Sequence, residues 1–371
     1  MSNITIDDVK AKLLTLDTVR ETLASTEPLA THEFEVGEGV AFRLEEDFNH
    51  GLKALQGDNL VNGYISIGGR ELQLTRDALY EATAEAKMTK GFVNFYDSHI
   101  VEDALNSAFR AGLGKGEYKV LGVRGNRAAA ITRGAVQPYS NLRMLEIAMD
   151  GIERKYGSGE VFADYKFVHN LQRTHLRLIV PEYVRTIENT GTDNDTWSTG
   201  IQIVNSLTGL EQTQINGYLF RYWCTNGAID TRSTANSVWS RRGAAGQGDG
   251  VFEWARDAVD EVLGGLEGSL DAVQAMTEIS IQGTAREALS DVFREYRVPK
   301  PVRDRITSNM INEDTLTMYS LMQAVTEAAN SADLAPGDVD RLMRVGGDLP
   351  VLAEEGRCSN EAPCGRFLHG H

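Results

Sequence analysis

The run Arg173-Thr174-His175-Leu176-Arg177-Leu178-Ile179-Val180 alternates polar and apolar residues. A strand there sets Arg173, His175 and Arg177 on one face and turns Leu176, Leu178 and Val180 to a core. Cations along one sheet face suit contacts with a phosphate backbone. Arg221 beside Trp223, and Trp239-Ser240-Arg241-Arg242-Gly243 in a Gly-rich loop, add aromatics on which unpaired bases stack. Arg173, His175, Arg177, Arg221, Trp223, Trp239, Arg241 and Arg242 are therefore the candidate residues for an interface with single-stranded DNA. The same residues also have a purely structural reading, in which Arg173 and Arg177 form salt bridges to acidic helices and Trp239 fills a crevice. A shared groove is expected from the first reading, and scattered or carboxylate-paired cations from the second.

Other chemistry is hard to build from this inventory. There is no Gly-x-Ser-x-Gly elbow and no His-Glu-x-x-His spacing among the seven His. Gly112-Leu113-Gly114-Lys115-Gly116 lacks the Ser or Thr that follows Gly-Lys in a phosphate-binding loop. Asp193 and Asp195 sit in a polar loop where solvation accounts for them. Cys358, Cys364, His369 and His371 are four soft ligands, but gaps of five and one residues do not match the usual zinc spacings. A disordered or partner-bound tail is the reading set against a metal site. No catalytic residue, metal or cofactor is assigned, and the chain reads as non-enzymatic.

Net charge is −16 over 371 residues, which argues against a generally basic surface. The segment 120–250 nevertheless carries 14 Lys and Arg against 12 Asp and Glu, leaving 23 against 41 elsewhere. A near-neutral middle within an acidic periphery permits a local anion-binding groove, or serves solubility alone. No apolar run reaches the length of a membrane span, and residues 1–8 lack the order of a signal peptide. With three Cys, an odd number in a long chain, this predicts a cytoplasmic protein without a disulfide framework.

Periodicity divides the chain into a mixed α/β region over 1–115, a strand-rich core over 116–250 and helices over 251–348, followed by a tail over 349–371. Gly68-Gly69 marks a hairpin within 64–74, Thr75 caps a helix through Ala86, and Asn141 to Tyr156 form a helix among strands. Strands are expected over 200–206 and 213–225, with Asn226-Gly227 as the following turn. A last short helix is expected over 338–344, and Gly346 is expected to end the compact region. The expected class is α+β: an antiparallel sheet core packed with helices, an N-terminal α/β cap and a C-terminal helical bundle.

Asn205-Ser206-x-x-Gly209 followed by Arg221-Tyr222-Trp223-Cys224-Thr225-Asn226-Gly227 resembles the signature of a phage/plasmid-like domain-of-unknown-function family. Residues 124–127 leading to 138–141, and 317–326 before Val345-Gly346-Gly347, agree with it over roughly 118–348. Arg133-Gly134-Ala135-Val136 departs from the aromatic, basic run found there in the family. The resemblance implies a bacteriophage protein in the cytoplasm of an infected bacterial host, without established enzymatic activity. The expected function is single-strand binding as an annealing or recombination accessory that works as an oligomer. The alternative is a structural or host-interaction protein that engages proteins through its acidic surface and binds no nucleic acid.

Overall fold

In the computed structural model the described residues are 6–25, 28–35, 39–48, 60–111, 117–123, 126–133, 139–164, 168–169, 173–191, 195–206, 212–222, 226–236, 250–281, 289–290, 292–294, 296–311, 316–330, 334 and 336–354. Their strands are β1 (Leu14–Thr15), β2 (Pro28–Glu35), β3 (Val40–Leu44), β4 (Leu60–Ile67), β5 (Arg70–Thr75), β6 (Glu117–Val123), β7 (Arg127–Arg133), β8 (Phe162–Ala163), β9 (Val168–His169), β10 (Thr174–Ile187), β11 (Asp195–Asn205), β12 (Gln214–Arg221) and β13 (Asn226–Asn236). Their helices are α1 (Ile6–Lys10), α2 (Leu16–Ala24), α3 (Arg76–Glu85), α4 (Lys90–Phe95), α5 (Ser98–Arg110), α6 (Asn141–Tyr156), α7 (Gly250–Met276), α8 (Lys300–Ile311), α9 (Met318–Ala328) and α10 (Pro336–Glu354).

The larger sheet runs β1-β8-β10-β11-β12-β13, with β9 also on β10, and every pairing is antiparallel. The smaller runs β2-β6-β7-β5-β4-β3 and is mixed, because β5 and β7 pair in parallel. This is the α+β architecture expected from the alternation of strand and helix periods. Local chemistry explains many of the boundaries. Gly68 and Gly69 both have positive φ and close the β4–β5 hairpin, and the Thr75 hydroxyl accepts the Ala78 N–H at 3.1 Å to start α3. Ser140 caps α6 through the Arg143 N–H, and Gly157 at φ +79° ends it.

The two sheets have separate cores, and these do not divide at residue 115. Phe42, Ile65, Leu74, Leu79, Leu105 and Ile131 belong to the core of the smaller sheet, which therefore extends through β6 and β7. Val9, Leu13, Val19 and Leu23, from the first two helices and the turn between them, pack instead with the core of the larger sheet. The outer edge of β3 is covered by α5: the Asn106 amide accepts from Phe42 N–H at 2.8 Å and donates to Phe42 C=O at 2.9 Å, and Glu102 accepts from Leu44 N–H at 2.8 Å. Side chains thereby complete the ladder that an edge strand leaves open.

Two expectations for the larger sheet are corrected. Asn226 and Gly227 are not a turn but the first residues of β13, opposite Arg221 and Phe220. Gly227 is required for packing, since a Cβ there would lie 1.9 Å from the Tyr218 hydroxyl. The last helix is not confined to 338–344; it spans Pro336–Glu354 and continues through Gly346, Gly347 and Pro350. Those glycines let α10 approach the sheet edge, because a Cβ on Gly347 would lie 1.7 Å from the Ile229 carbonyl oxygen.

Candidate functional site

Strand β10 presents His175 and Arg177 on one face, as its alternation requires. The register places Arg177 opposite Gln202 on β11, and Gln202 opposite Asn216 on β12. These four side chains therefore share a face. The face is not open to solvent: α10 lays Asp340 across it, and Arg177 is 0% exposed. Asp340 forms an ion pair with Arg177 and lies against His175 Nδ1. Gln202 Nε2 donates to Asp340 Oδ1 at 3.3 Å, and Asn216 Nδ2 donates to Gln202 Oε1 at 2.9 Å. On the other side of Arg177, Asp164 lies 3.9 Å from the guanidinium and accepts the Tyr218 O–H at 2.7 Å. The Arg177 guanidinium carbon also stands 5.9 Å from the centre of the Tyr218 ring.

Electrostatics ties this network to pH. Burial by itself pushes the Asp340 carboxyl up, but the His175 hydrogen bond and the nearby Arg177 charge outweigh it and hold the group at about 2. Burial, reinforced by Asp164, pushes the Tyr218 hydroxyl well above its usual range, so it stays a donor. Because the Asp340 carboxyl sits below its ordinary 3.8, its contribution is complete above about pH 4 and is lost as pH falls toward 2. The shift corresponds to about 2 kcal/mol. Urea unfolding of the wild type and Asp340→Asn should thus show a stability gap at pH 6 that narrows by about that amount at pH 2.5.

At the Asp340 end the network opens into a pocket of about 430 Å³, lined by His175, Val204, Gln212, Gln214, Asp340, Arg341 and Arg344. His175 Nδ1 is turned to Asp340, and the residue also lines the pocket. Arg344 donates to the neutral Gln214 amide at 2.7 Å, whereas Arg341 lies 3.4 Å from Asp338. The lining thus joins two guanidinium groups, an imidazole, two amides and the Asp340 carboxylate, which is paired with Arg177 and His175. The two guanidinium groups are the part of this set that suits an anion with hydrogen-bonding oxygens.

Arg221 is elsewhere. It pairs with Trp197 in the register, five residues from Asn216 along β12, so its side chain leaves the opposite face from Arg177. It is 7% exposed and gripped by Asp195, with Nε to Oδ1 at 2.7 Å and Nη2 to Oδ2 at 2.5 Å. Nη1 donates to Gln323 at 2.6 Å, and Tyr319 donates to the same carboxylate. Seven residues of strand, about 24 Å, separate Arg221 from Gln214 at the pocket. Arg173, by contrast, is exposed immediately before β10.

Among the described residues, the predicted cations are therefore not gathered in one groove. His175 and Arg177 share a face but are buried against Asp340, and Arg221 is locked on the other face because Asp195 needs a counter-charge. Trp223, Trp239, Arg241 and Arg242 lie outside the described residues, as do Cys358, Cys364, His369 and His371. Sequence reasoning missed Gln212, Asp340, Arg341 and Arg344, which no local motif marks. Among the described residues no helix is long and apolar enough to cross a membrane, and no group of three His, Cys, Asp or Glu could hold a metal ion. Comparison with known proteins gives no match: no family model, no curated protein and no solved structure.

Proposed function

We propose that this chain is a non-enzymatic protein that binds single-stranded DNA, with a phosphate seated in the pocket between Arg341 and Arg344. The observation that carries the reading is the pocket itself. Two guanidinium groups, with His175 and the Asp340 carboxylate beside them, line an open cavity in a chain of net charge −16. Arg344 is bonded to a neutral amide and close enough to Asp340 to help hold its carboxyl down, and an incoming anion would meet the same guanidinium. Asp340 directs its charge mainly at Arg177 and His175, which limits its repulsion of that anion. The chain connectivity adds support: Asn236, the last described residue before Trp239, Arg241 and Arg242, is paired with Gln214 of the pocket. The phage setting and the annealing or recombination role, as an oligomer, rest on the resemblance of the 205–227 segment.

A fluorescence-anisotropy titration with labelled oligodeoxythymidine at about 50 and 200 mM salt tests the reading. Binding at low salt that weakens at high salt is expected; no binding at low salt rules it out. One observation favours a second reading, a structural or host-interaction protein that works through its acidic surface. Arg177 and Arg221 are both neutralised by internal carboxylates, as that reading requires.

A further inference from the structure

The smaller sheet carries a feature that the pocket does not use. Helix α4 is short, capped by Thr89 through the Phe92 N–H at 3.2 Å, and anchored by Val93, which is 0% exposed. Phe95 follows two residues later, about 200° around the helix, and so must point away from that anchor. It is 89% exposed, and Tyr96 is 48% exposed. The Tyr96 ring lies 4.5 Å from that of Phe92, with 31° between their planes. Lys90 stands 5.0 Å from the centre of the Tyr80 ring, and Lys87 lies three residues earlier, in the turn that follows α3.

A Phe ring so exposed is an unusual use of a large apolar side chain, and contiguous exposed aromatics mark binding surfaces. The charge pattern selects the occupant. Residues 86–96 hold two Lys, three aromatics and no acid, within a chain that carries 53 Asp and Glu; Asp97 is the first acid to follow. Aromatic faces flanked by lysines match unpaired bases on a phosphate backbone, each ring stacking on a base while the ammonium groups meet phosphates. We infer that the Lys90–Tyr96 knuckle is a base-stacking site for single-stranded nucleic acid. The inference rests on the reading given above and adds to it a second contact, on the smaller sheet's own core, whose aromatic rings act through bases.

The test uses the full chain and 2-aminopurine-labelled oligodeoxythymidine. Phe95→Ala with Tyr96→Ala should weaken binding at least tenfold while leaving the salt slope unchanged, and circular dichroism should match the wild type because both side chains are largely outside the core. Phe95→Trp should keep wild-type affinity, with the new indole quenched by the oligonucleotide. If the wild type binds and the double variant binds equally well, the knuckle is not a nucleic-acid site although the pocket reading stands. If the wild type does not bind, the reading itself fails and the inference with it. An indole at residue 95 that ignores the oligonucleotide but responds to anionic phosphatidylserine vesicles, or to protein concentration alone, assigns the knuckle to a membrane surface or a second copy and overturns the inference.

Discussion

Arg177→Met should destabilise the fold by about 3–5 kcal/mol, a large fraction of the 5–15 kcal/mol typical of a folded domain. The substitution removes the main counter-charge of Asp340 and a cation 3.9 Å from Asp164, both of these carboxylates being buried. Met fills much of the aliphatic volume of Arg, so the loss reports the stranded carboxylates and not a cavity. The double variant Arg177→Met with Asp340→Leu should recover part of the loss, because a buried ion pair replaced as a unit by apolar groups is often close to neutral. Recovery should be incomplete, since His175 and Gln202 also lean on Asp340. Urea denaturation of the three proteins measures the coupling. A single variant within about 1 kcal/mol of wild type would mean the network is not formed as described.

Gly347→Ala should be the costliest single-methyl change in the last helix. A helical Gly→Ala normally gains about 1 kcal/mol from propensity. Here the new Cβ would sit 1.7 Å from the Ile229 carbonyl oxygen and 2.6 Å from its carbon, and neither belongs to a side chain that can rotate away. Helix α10 would have to lift from β13, carrying Asp340 with it, so a loss of about 3 kcal/mol or more is expected. Gly264 and Gly268 in α7 have nothing within 4 Å of where an added methyl would sit. Ala at either should stabilise by about 0.5–1 kcal/mol. Thermal unfolding of the three variants gives opposite signs for the two helices if the α10 contact is real.

These sites show what the sequence can and cannot reveal. Element types are legible because periodicity is local: the Gly68-Gly69 hairpin, the Thr75 cap and the whole of α6 stand where their residues predict. The alternation of β12 also puts Asn216 and Tyr218 on one face, where they lie in the buried network. What fails is every judgement that needs to know what covers a face. Arg173, His175 and Arg177 alternate identically whether water or a helix lies above them, and only the return of α10 across the sheet, 163 residues after Arg177, decides it. The same holds for Gly346, which reads as the end of the compact region and lies inside the helix beside Gly347, a close contact with β13. Phe95 and Tyr96 carry no local mark of exposure, because three aromatics within five residues ordinarily signal a core.

The central claim is that the anion site belongs to Arg341 and Arg344 at the pocket and not to the cations of the sheet face. Its most direct measure is the salt dependence of oligodeoxythymidine binding by Arg341→Gln with Arg344→Gln, set beside the wild type. The account predicts weaker binding and a slope of log K against log salt reduced by about 0.7, the value for one phosphate contact on a single strand. A slope equal to that of the wild type would contradict it.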